Sequence, residues 1–225
     1  RLMRRYLPWL ILAAALAIRL KGILWGFPEV YEGDSPHLVN TAVYFGSGDF
    51  NPHVFKYPTL YMYVLFLIYG GFFSLGRLLG YFHSVADFGA FFIWKSWVFY
   101  FIARLLNVAL NLGAAAMVMR AGREGFSRWT AAIGGAVIVF SPYIMSYSLM
   151  AKGDTFYLFL ASVAWWAAMG IVLYGRPRDY VFTGIALGLS AASHYGSIIL
   201  WPILWIAHFL RARKTCMSWL DALCS

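Results

Sequence analysis

The sequence contains little charge and almost no cysteine. Asp, Glu, Lys and Arg make up 12% of its 225 residues, about half of the share in an ordinary soluble domain. This shortage, together with a hydrophobic content of 62%, excludes a soluble globular fold and indicates an integral membrane protein. The two cysteines, Cys216 and Cys224, lack the spacing of a metal site, and we interpret them as free thiols.

Six apolar runs dominate the rest of the chain. Most of them approach about 20 residues, the length that a helix needs to cross the hydrocarbon core of a membrane. We therefore predict an all-α, polytopic bundle of transmembrane helices. The runs lie near residues 8–18, 57–75, 97–119, 130–149, 155–174 and 181–210.

The net charge of +9 is concentrated in short clusters between the runs rather than along a binding stripe, so no nucleic-acid partner is expected. Such clusters stay on the cytoplasmic side under the positive-inside rule. They could also contact the headgroups of anionic membrane lipids. The clusters are Arg1, Arg4 and Arg5; Arg120, Arg123 and Arg128; Arg176 and Arg178; and Arg211, Arg213 and Lys214.

With these clusters inside, the segment from Phe27 to about Trp97 forms the first extracytoplasmic loop. Because the helix that begins near Trp97 must start outside, the run 57–80 either lies in the membrane plane or crosses and is followed by a return crossing at 81–94. We prefer the first arrangement, with amphipathic juxtamembrane helices in the loop, because the return stretch is short and polar.

The last apolar run, 181–210, is too long for one ordinary crossing and short for two. His194 lies in its middle and Pro202 follows, so we predict a break near His194 between two short helices. One long tilted helix is the alternative.

Glycines within the apolar runs indicate close contacts between helices rather than phosphate-binding loops. The relevant pairs are Gly134 and Gly135, and Gly184 and Gly188.

One polar segment interrupts the apolar pattern after the first run. Asp34 and, further on, Lys56 are costly near hydrocarbon, so they indicate a functional site by default. Asp34 precedes Ser-Pro, where a helix would start, and N-capping is therefore the plain alternative. Asp154 supplies a second acid at the outer end of a later run, which favours a site shared between the two segments.

Several motifs are informative because of their order and spacing. The motifs are Asp34 with its helix start, Asn51-Pro-His, Lys56-Tyr-Pro-Thr-Leu-Tyr61, Arg104-Leu-Leu, Ser141-Pro-Tyr ahead of Lys152-Gly-Asp154, and the segment Gly184 to Gly196. Together they resemble the GT-C membrane glycosyltransferases, in particular the branch that holds protein O-mannosyltransferases and the aminoarabinose transferase of lipid A. The resemblance covers nearly the whole chain, so residues 1–215 are predicted to be the N-terminal part of such a domain and 216–225 an atypical tail.

The resemblance implies transfer of a hexosyl or pentosyl group from a polyprenyl- or dolichyl-phosphate donor to a glycan, lipid or protein acceptor. The reaction would occur on the extracytoplasmic side, with a bacterial or archaeal plasma membrane as the expected location. Asp34 would be the catalytic base, and Asp154 and Glu32 would position acceptor or donor. One base suffices for an inverting displacement, because a phosphate leaves without help from a general acid.

Cations must neutralise the charge that builds up on the leaving phosphate. Lys56 is the first candidate, followed by Arg104 and Lys152. Lys56 could instead be an interfacial lysine, and Arg104 could instead pair with a partner that orients the bundle. The remaining candidates for the substrate pocket are His37, His53, Tyr57, Tyr61, His194 and Tyr195.

The motifs do not demand a cofactor. His37 and His53 could bind a divalent metal, but their spacing matches no strong metal signature, so no metal ligand is assigned. The sequence also departs from the family, since Ser35 stands where an acid is common and His194 where a lysine is usual. A transporter or lipid carrier with a polar outer cavity is the alternative function, although the acids of transporters usually lie at the bilayer midplane.

Overall fold

Helices make up nearly all of the regular structure in the computed structural model, which describes residues 2–31 and 33–224, with side chains described from residue 6 to 215. No strand occurs within these ranges, and the predicted all-α bundle is confirmed. The α-helices are α1 (Leu2–Gly22), α2 (Ser35–Tyr44), α3 (Leu60–Leu78), α4 (Val85–Trp94), α5 (Ser96–Gly125), α6 (Arg128–Phe140), α7 (Pro142–Ser148), α8 (Asp154–Tyr174), α9 (Pro177–Ser193) and α10 (Pro202–Cys224), with 3₁₀ helices at Phe45–Ser47 and Tyr195–Leu200.

Four helical segments in the described ranges are long and apolar enough to cross a membrane: Leu60–Leu78, Ser96–Gly125, Asp154–Tyr174 and Tyr195–Thr215. α6 and α7 meet at a bend of 59° and would form a fifth crossing if they act together. The bend lies at Pro142, which has no N–H to continue the helix and which disfavours helical backbone at Ser141 before it.

The predicted break near His194 is confirmed. α9 ends at Ser193, and His194 has extended backbone with φ −155° and ψ 120°. The chain then continues as the 3₁₀ helix Tyr195–Leu200 before α10 begins at Pro202. Because Pro202 stands at the start of α10, its missing N–H removes no helical hydrogen bond.

α3 runs beside the first third of α5 in the opposite direction. The Tyr61 hydroxyl donates to Asn107 Oδ1 over 3.2 Å, whereas Tyr69, two turns later, donates to the Phe99 carbonyl over 3.1 Å. α3 is long enough to cross a membrane. α4, with ten residues, covers only about 15 Å and is too short for the return crossing. The in-plane arrangement of 57–80 therefore stays a prediction.

An aromatic cluster fills the space between α3, α4 and the start of α5. Phe99 at its centre is completely buried. Many of its ring pairs meet edge to face, the arrangement that aromatic quadrupoles favour. The other rings are Tyr69, Phe72, Phe73, Phe82, Phe88, Phe91 and Phe92. These contacts fix α3 and α4 as one unit against the beginning of α5.

The glycine prediction is half right. A Cβ added at Gly134 would lie 3.2 Å from a valine of α5, and one at Gly135 would overlap a methionine of the same helix, so both glycines allow α6 to approach α5 closely. At Gly184 and Gly188 a Cβ would meet nothing within 4 Å of the described chain, and this part of the prediction is wrong. α9 packs through its other face, which buries Thr183, Ala186, Leu187 and Ser190.

Arg19 joins α1 to three other helices. Its guanidinium is completely buried, so each N–H needs an acceptor. The acceptors are Ser148 Oγ at 3.0 Å, the Ala15 carbonyl at 3.1 Å, Asn111 Oδ1 at 2.7 Å and the Val139 carbonyl at 2.8 Å. These bonds hold α1 against α5, α6 and α7.

The internal basic clusters meet at one end of the bundle. The Arg120 guanidinium at the end of α5 lies 4.5 Å from the Trp166 ring of α8, and Arg211 of α10 donates to the Leu173 carbonyl over 3.2 Å. Asp154, the first residue of α8, marks the other end of the same helix. The two ends are about 30 Å apart, because α8 has 21 residues and rises about 1.5 Å per residue.

Candidate functional site

A small cavity of about 120 Å³ lies between the start of α2, the start of α3, the turn before α8 and the break at His194. Segments far apart in the sequence therefore form one site. Six of the residues predicted for the site line it: Asp34, Tyr57, Tyr61, Lys152, Asp154 and His194. Leu38, Pro58, Tyr147, Gly153 and Ser193 complete the lining.

Asp34 stands at the N-cap of α2 but does not act as a cap. Its side chain accepts no capping hydrogen bond from the described residues of the helix. Instead, one carboxylate oxygen lies 3.2 Å from Lys152 Nζ and the other 3.6 Å from Lys56 Nζ. The hydrogen bond from the Tyr57 hydroxyl, followed by that from Lys152, lowers the pKa of Asp34 below its ordinary value. The carboxylate is therefore ionised at neutral pH.

The two lysines differ in their surroundings. Lys152 is mostly buried, with 17% of its side chain exposed, and its ammonium lies 5.4 Å from the Tyr147 ring. Lys56 is 68% exposed and lies 5.1 Å from the Tyr57 ring. Hydrogen bonding to the Tyr57 oxygen and the nearby Asp34 charge raise the pKa of Lys56. The two ammoniums hold one carboxylate between them.

Asn107 fixes the turn that carries Lys152, and the sequence interpretation missed it. Its amide group, on the completely buried face of α5, donates to the Met150 carbonyl over 2.6 Å and to the Lys152 carbonyl over 2.8 Å. Its oxygen accepts from the Tyr61 hydroxyl over 3.2 Å. The signal was available, because a polar amide inside an apolar helix usually bonds across to another helix.

The wall formed by the turn before α8 and by His194 carries two groups for hydrogen bonding. Asp154 is the first residue of α8, where the helix macrodipole stabilises a negative charge. His194 Nδ1 accepts the Gly196 N–H over 3.1 Å, and its ring packs at a tilt against Tyr157 with 4.6 Å between centroids. In the neutral ring the proton then lies on Nε2, which is able to donate.

Besides Lys56, four predicted residues in the described ranges lie outside the cavity lining. Arg104 is 98% buried and donates to the carbonyls of Ile23 and Trp25, each over 2.8 Å. These contacts fit the alternative role given to Arg104 above, which is to orient the helices of the bundle. His53 pairs with Asp49 over 2.8 Å on the surface.

The other two contact the loop that carries Lys56. The Tyr195 hydroxyl donates to the Phe55 carbonyl over 3.2 Å, and so connects the break at His194 to that loop. The His37 ring lies 6.0 Å from the Tyr57 ring, and its buried Nε2 has no hydrogen-bond partner among the described residues. Glu32, the other predicted acid, lies outside the described residues. In the described ranges, no three His, Cys, Asp or Glu side chains converge as a metal site would require.

The family model for dolichyl-phosphate-mannose-protein mannosyltransferases matches residues 91–223, more than half of the chain. The match includes Lys152, Asp154 and His194, whereas Asp34 and Lys56 precede it; it also extends into 216–225, the segment predicted as an atypical tail. No curated protein and no solved structure matches the chain. This is a family of membrane glycosyltransferases that use a lipid-linked sugar donor, and the chain belongs to it.

Proposed function

We propose that the protein transfers a sugar from a polyprenyl- or dolichyl-phosphate donor to an acceptor hydroxyl or amine, with Asp34 as the catalytic base. The observation that carries this proposal is the position of the Asp34 carboxylate, which contacts Lys152 and Lys56 instead of capping α2. A base beside two cations, in a cavity at the end of membrane helices, has the groups that transfer from a lipid phosphate needs.

The internal basic clusters support an orientation in the membrane. They lie at the end of the bundle opposite to the cavity, and clusters of this kind usually stay in the cytoplasm under the positive-inside rule. The site would therefore face the extracytoplasmic side. This orientation suits a lipid-linked donor and an acceptor that has already left the cytoplasm.

The reaction would be a single displacement at the anomeric carbon. The acceptor oxygen or nitrogen attacks that carbon, and its proton passes to Asp34. The bond between the anomeric carbon and the phosphate oxygen breaks, and its electron pair leaves with the lipid phosphate. The products are the glycosylated acceptor with inverted configuration, the free lipid phosphate and protonated Asp34, which returns its proton to water.

Lys152 and Lys56 would bind the phosphate of the donor. Each ammonium contacts one oxygen of Asp34, so an incoming phosphate would compete with the carboxylate for the same cations. Binding of the donor would therefore weaken the two interactions that keep Asp34 acidic. Asp34 would become a stronger base when the donor is in place, because loss of nearby positive charge raises the pKa of a carboxyl.

Asp154 and His194 would bind hydroxyl groups of the sugar or the acceptor. Asp154 accepts hydrogen bonds, whereas His194 Nε2 donates one, and both line the wall opposite the start of α2. The Tyr57 ring lines the cavity beside Asp34 and would stack on the sugar, whereas the buried Tyr61 would support the cavity from beneath. The sugar and the acceptor would thus be oriented by groups from the segment before α3, from α8 and from the break at His194.

The test replaces Asp34 by Asn in the full protein, which keeps the shape of the side chain and removes the base. The assay follows label from a polyprenyl-phosphate mannose into acceptors of the native membrane. We expect transfer to fall by about 10²-fold or more, while the donor still copurifies. Asp49→Asn is the matched control, since Asp49 is an exposed acid that pairs with His53. Transfer at the wild-type rate by Asp34→Asn, or an equal loss in the control, would refute the assignment.

A further inference from the structure

A second polar cavity, of about 430 Å³, lies between the end of α5, the end of α8 and the start of α9. It is at the opposite end of α8 from Asp154. Arg120, Arg176 and Arg178 line it together with Glu124 and Asp179. The proposed transfer reaction uses none of these residues.

Two of the three arginines are available to a ligand. Arg120 is engaged, because its Nε lies 3.1 Å from a Glu124 oxygen and its guanidinium stacks on a tryptophan of α8. Arg178 is 65% exposed, and the Arg176 guanidinium stacks over the Tyr174 ring at 4.4 Å. Guanidinium groups held in this way are well suited to bind phosphate oxygens.

Asp179 adds a site in the cavity for a hydrogen-bond donor of the ligand. Its Oδ1 lies 3.9 Å from Arg178 Nε, whereas its Oδ2 is buried without a hydrogen-bond partner in the described part of the chain. A buried acceptor of this kind costs free energy until a donor reaches it. A phosphodiester group carries no hydrogen-bond donor of its own, so the cavity suits a ligand in which a phosphodiester is joined to a donor.

The surface beside the cavity is apolar and follows α9 toward the middle of the bundle. Phe182 lines the cavity, and its side chain is 54% exposed. Val181 and Ile185 are 58% and 54% exposed. A ligand with its phosphate at Arg176 and Arg178 could therefore lay a hydrocarbon chain along α9.

We propose that this cavity binds the headgroup of a membrane phospholipid whose phosphodiester is joined to a hydrogen-bond donor, as in phosphatidylethanolamine and phosphatidylglycerol. The phosphate accepts from Arg176 and Arg178, and the ammonium or hydroxyl donates to Asp179. Phosphatidylcholine has the same phosphate but no donor on its quaternary ammonium, so the site discriminates against it. Basic pockets between membrane helices bind lipid headgroups in other proteins.

The test measures lipid retention by native mass spectrometry of the full, delipidated protein, after equal amounts of phosphatidylethanolamine, phosphatidylglycerol and phosphatidylcholine are added back. We expect the first two lipids to be retained about tenfold better than the third. The double variant Arg176→Gln, Arg178→Gln should lower retention of both about tenfold or more. Arg128→Gln is the control, because Arg128 is an exposed arginine near the same end that does not line the cavity.

Asp179→Asn separates the two halves of the proposal. It keeps the arginines, so phosphate binding persists, but the preference for the ethanolamine over the choline headgroup should fall toward equality. Equal retention of all three lipids by the wild type would overturn the proposal, as would an equal effect of Arg128→Gln. Binding of soluble glycerol 3-phosphate with no lipid retained would also overturn it. Thermal melting of each variant verifies that it is folded.

Discussion

Replacement of Asn107 by Leu offers a sharp test of how the candidate site is assembled. The change keeps the size of the side chain but removes both hydrogen bonds to the turn at Met150 and Lys152, and the bond from Tyr61. At about 1 kcal/mol for each bond, or somewhat less between membrane helices, the loss of stability should be about 2–3 kcal/mol. The turn would lose its anchor to α5, while Lys152 and Asp34 themselves remain.

The loss of activity should be comparable in free energy to the loss of stability, since each tenfold in rate corresponds to about 1.4 kcal/mol. A displacement of about 1 Å at a reacting centre typically costs about 10²-fold in rate, so kcat/KM should fall by about 10- to 100-fold. In the pH profile of kcat/KM, the position of the acid limb reports the pKa of the catalytic base in the free enzyme. Since the Lys152 hydrogen bond lowers the pKa of Asp34, a looser Lys152 should move that limb to higher pH.

Asn111→Leu is the matched control for this variant. Asn111 is also buried on α5, but it accepts one bond from Arg19, which keeps three other acceptors. Its replacement should reduce stability by about 1 kcal/mol or less and leave the acid limb in place. A folded Asn107→Leu protein with wild-type kcat/KM and an unshifted acid limb would refute the positioning role.

Three further predictions use the same geometry. Lys152→Met should raise the KM for a polyprenyl-phosphate sugar by about tenfold, and Lys56→Met should raise it by about threefold. The effect of Lys56 is smaller because this lysine is exposed and water screens its charge. Equal effects of the two variants on KM would contradict this ranking. If the donor phosphate draws both lysines away from Asp34, the pKa of Asp34 should be higher in the donor complex than in the free enzyme. The acid limb in the pH profile of kcat should then lie at higher pH than the acid limb in the profile of kcat/KM. Acid limbs at the same pH would contradict the competition between phosphate and carboxylate for the lysines. Gly122→Ala should lower the stability by about 1–3 kcal/mol, because its Cβ would lie 2.8 Å from the backbone of α6. Gly184→Ala has open space around its Cβ and should raise the stability by up to about 1 kcal/mol. Thermal melting of the two variants measures both effects.

The helical architecture could be predicted because membrane helices have few alternatives. Apolar runs of sufficient length must be helical in hydrocarbon, where every backbone polar group needs a partner within the chain. The break at His194 was predictable for a similar reason, since its run was too long for one crossing and contained Pro202. Gly184 and Gly188 were misread because spacing along a helix does not reveal which face meets a neighbour.

The site could be predicted only in part, because residue type does not determine what a side chain bonds to. Asp34, Lys152 and Asp154 were found as charges at the ends of apolar runs, and they line one cavity. Arg104 gave the same signal, yet it bonds to two backbone carbonyls after α1. Asn107 was missed because an uncharged amide is less conspicuous in a sequence than an arginine three residues away.

The face of α5 that carries Arg104, Asn107 and Asn111 explains how a site can form from segments 118 residues apart. Inside a membrane, lipid tails are as apolar as the helices, so burial of apolar surface gives little reason for one packing over another. Hydrogen bonds between helices are directional and can select a packing. On this face Arg104 bonds to the chain after α1, Asn107 to the turn before α8 and to α3, and Asn111 to α1 itself. The loop that carries Asp34 begins after α1 and ends at α3, so the bonds at its two ends also bring Asp34 to Lys152.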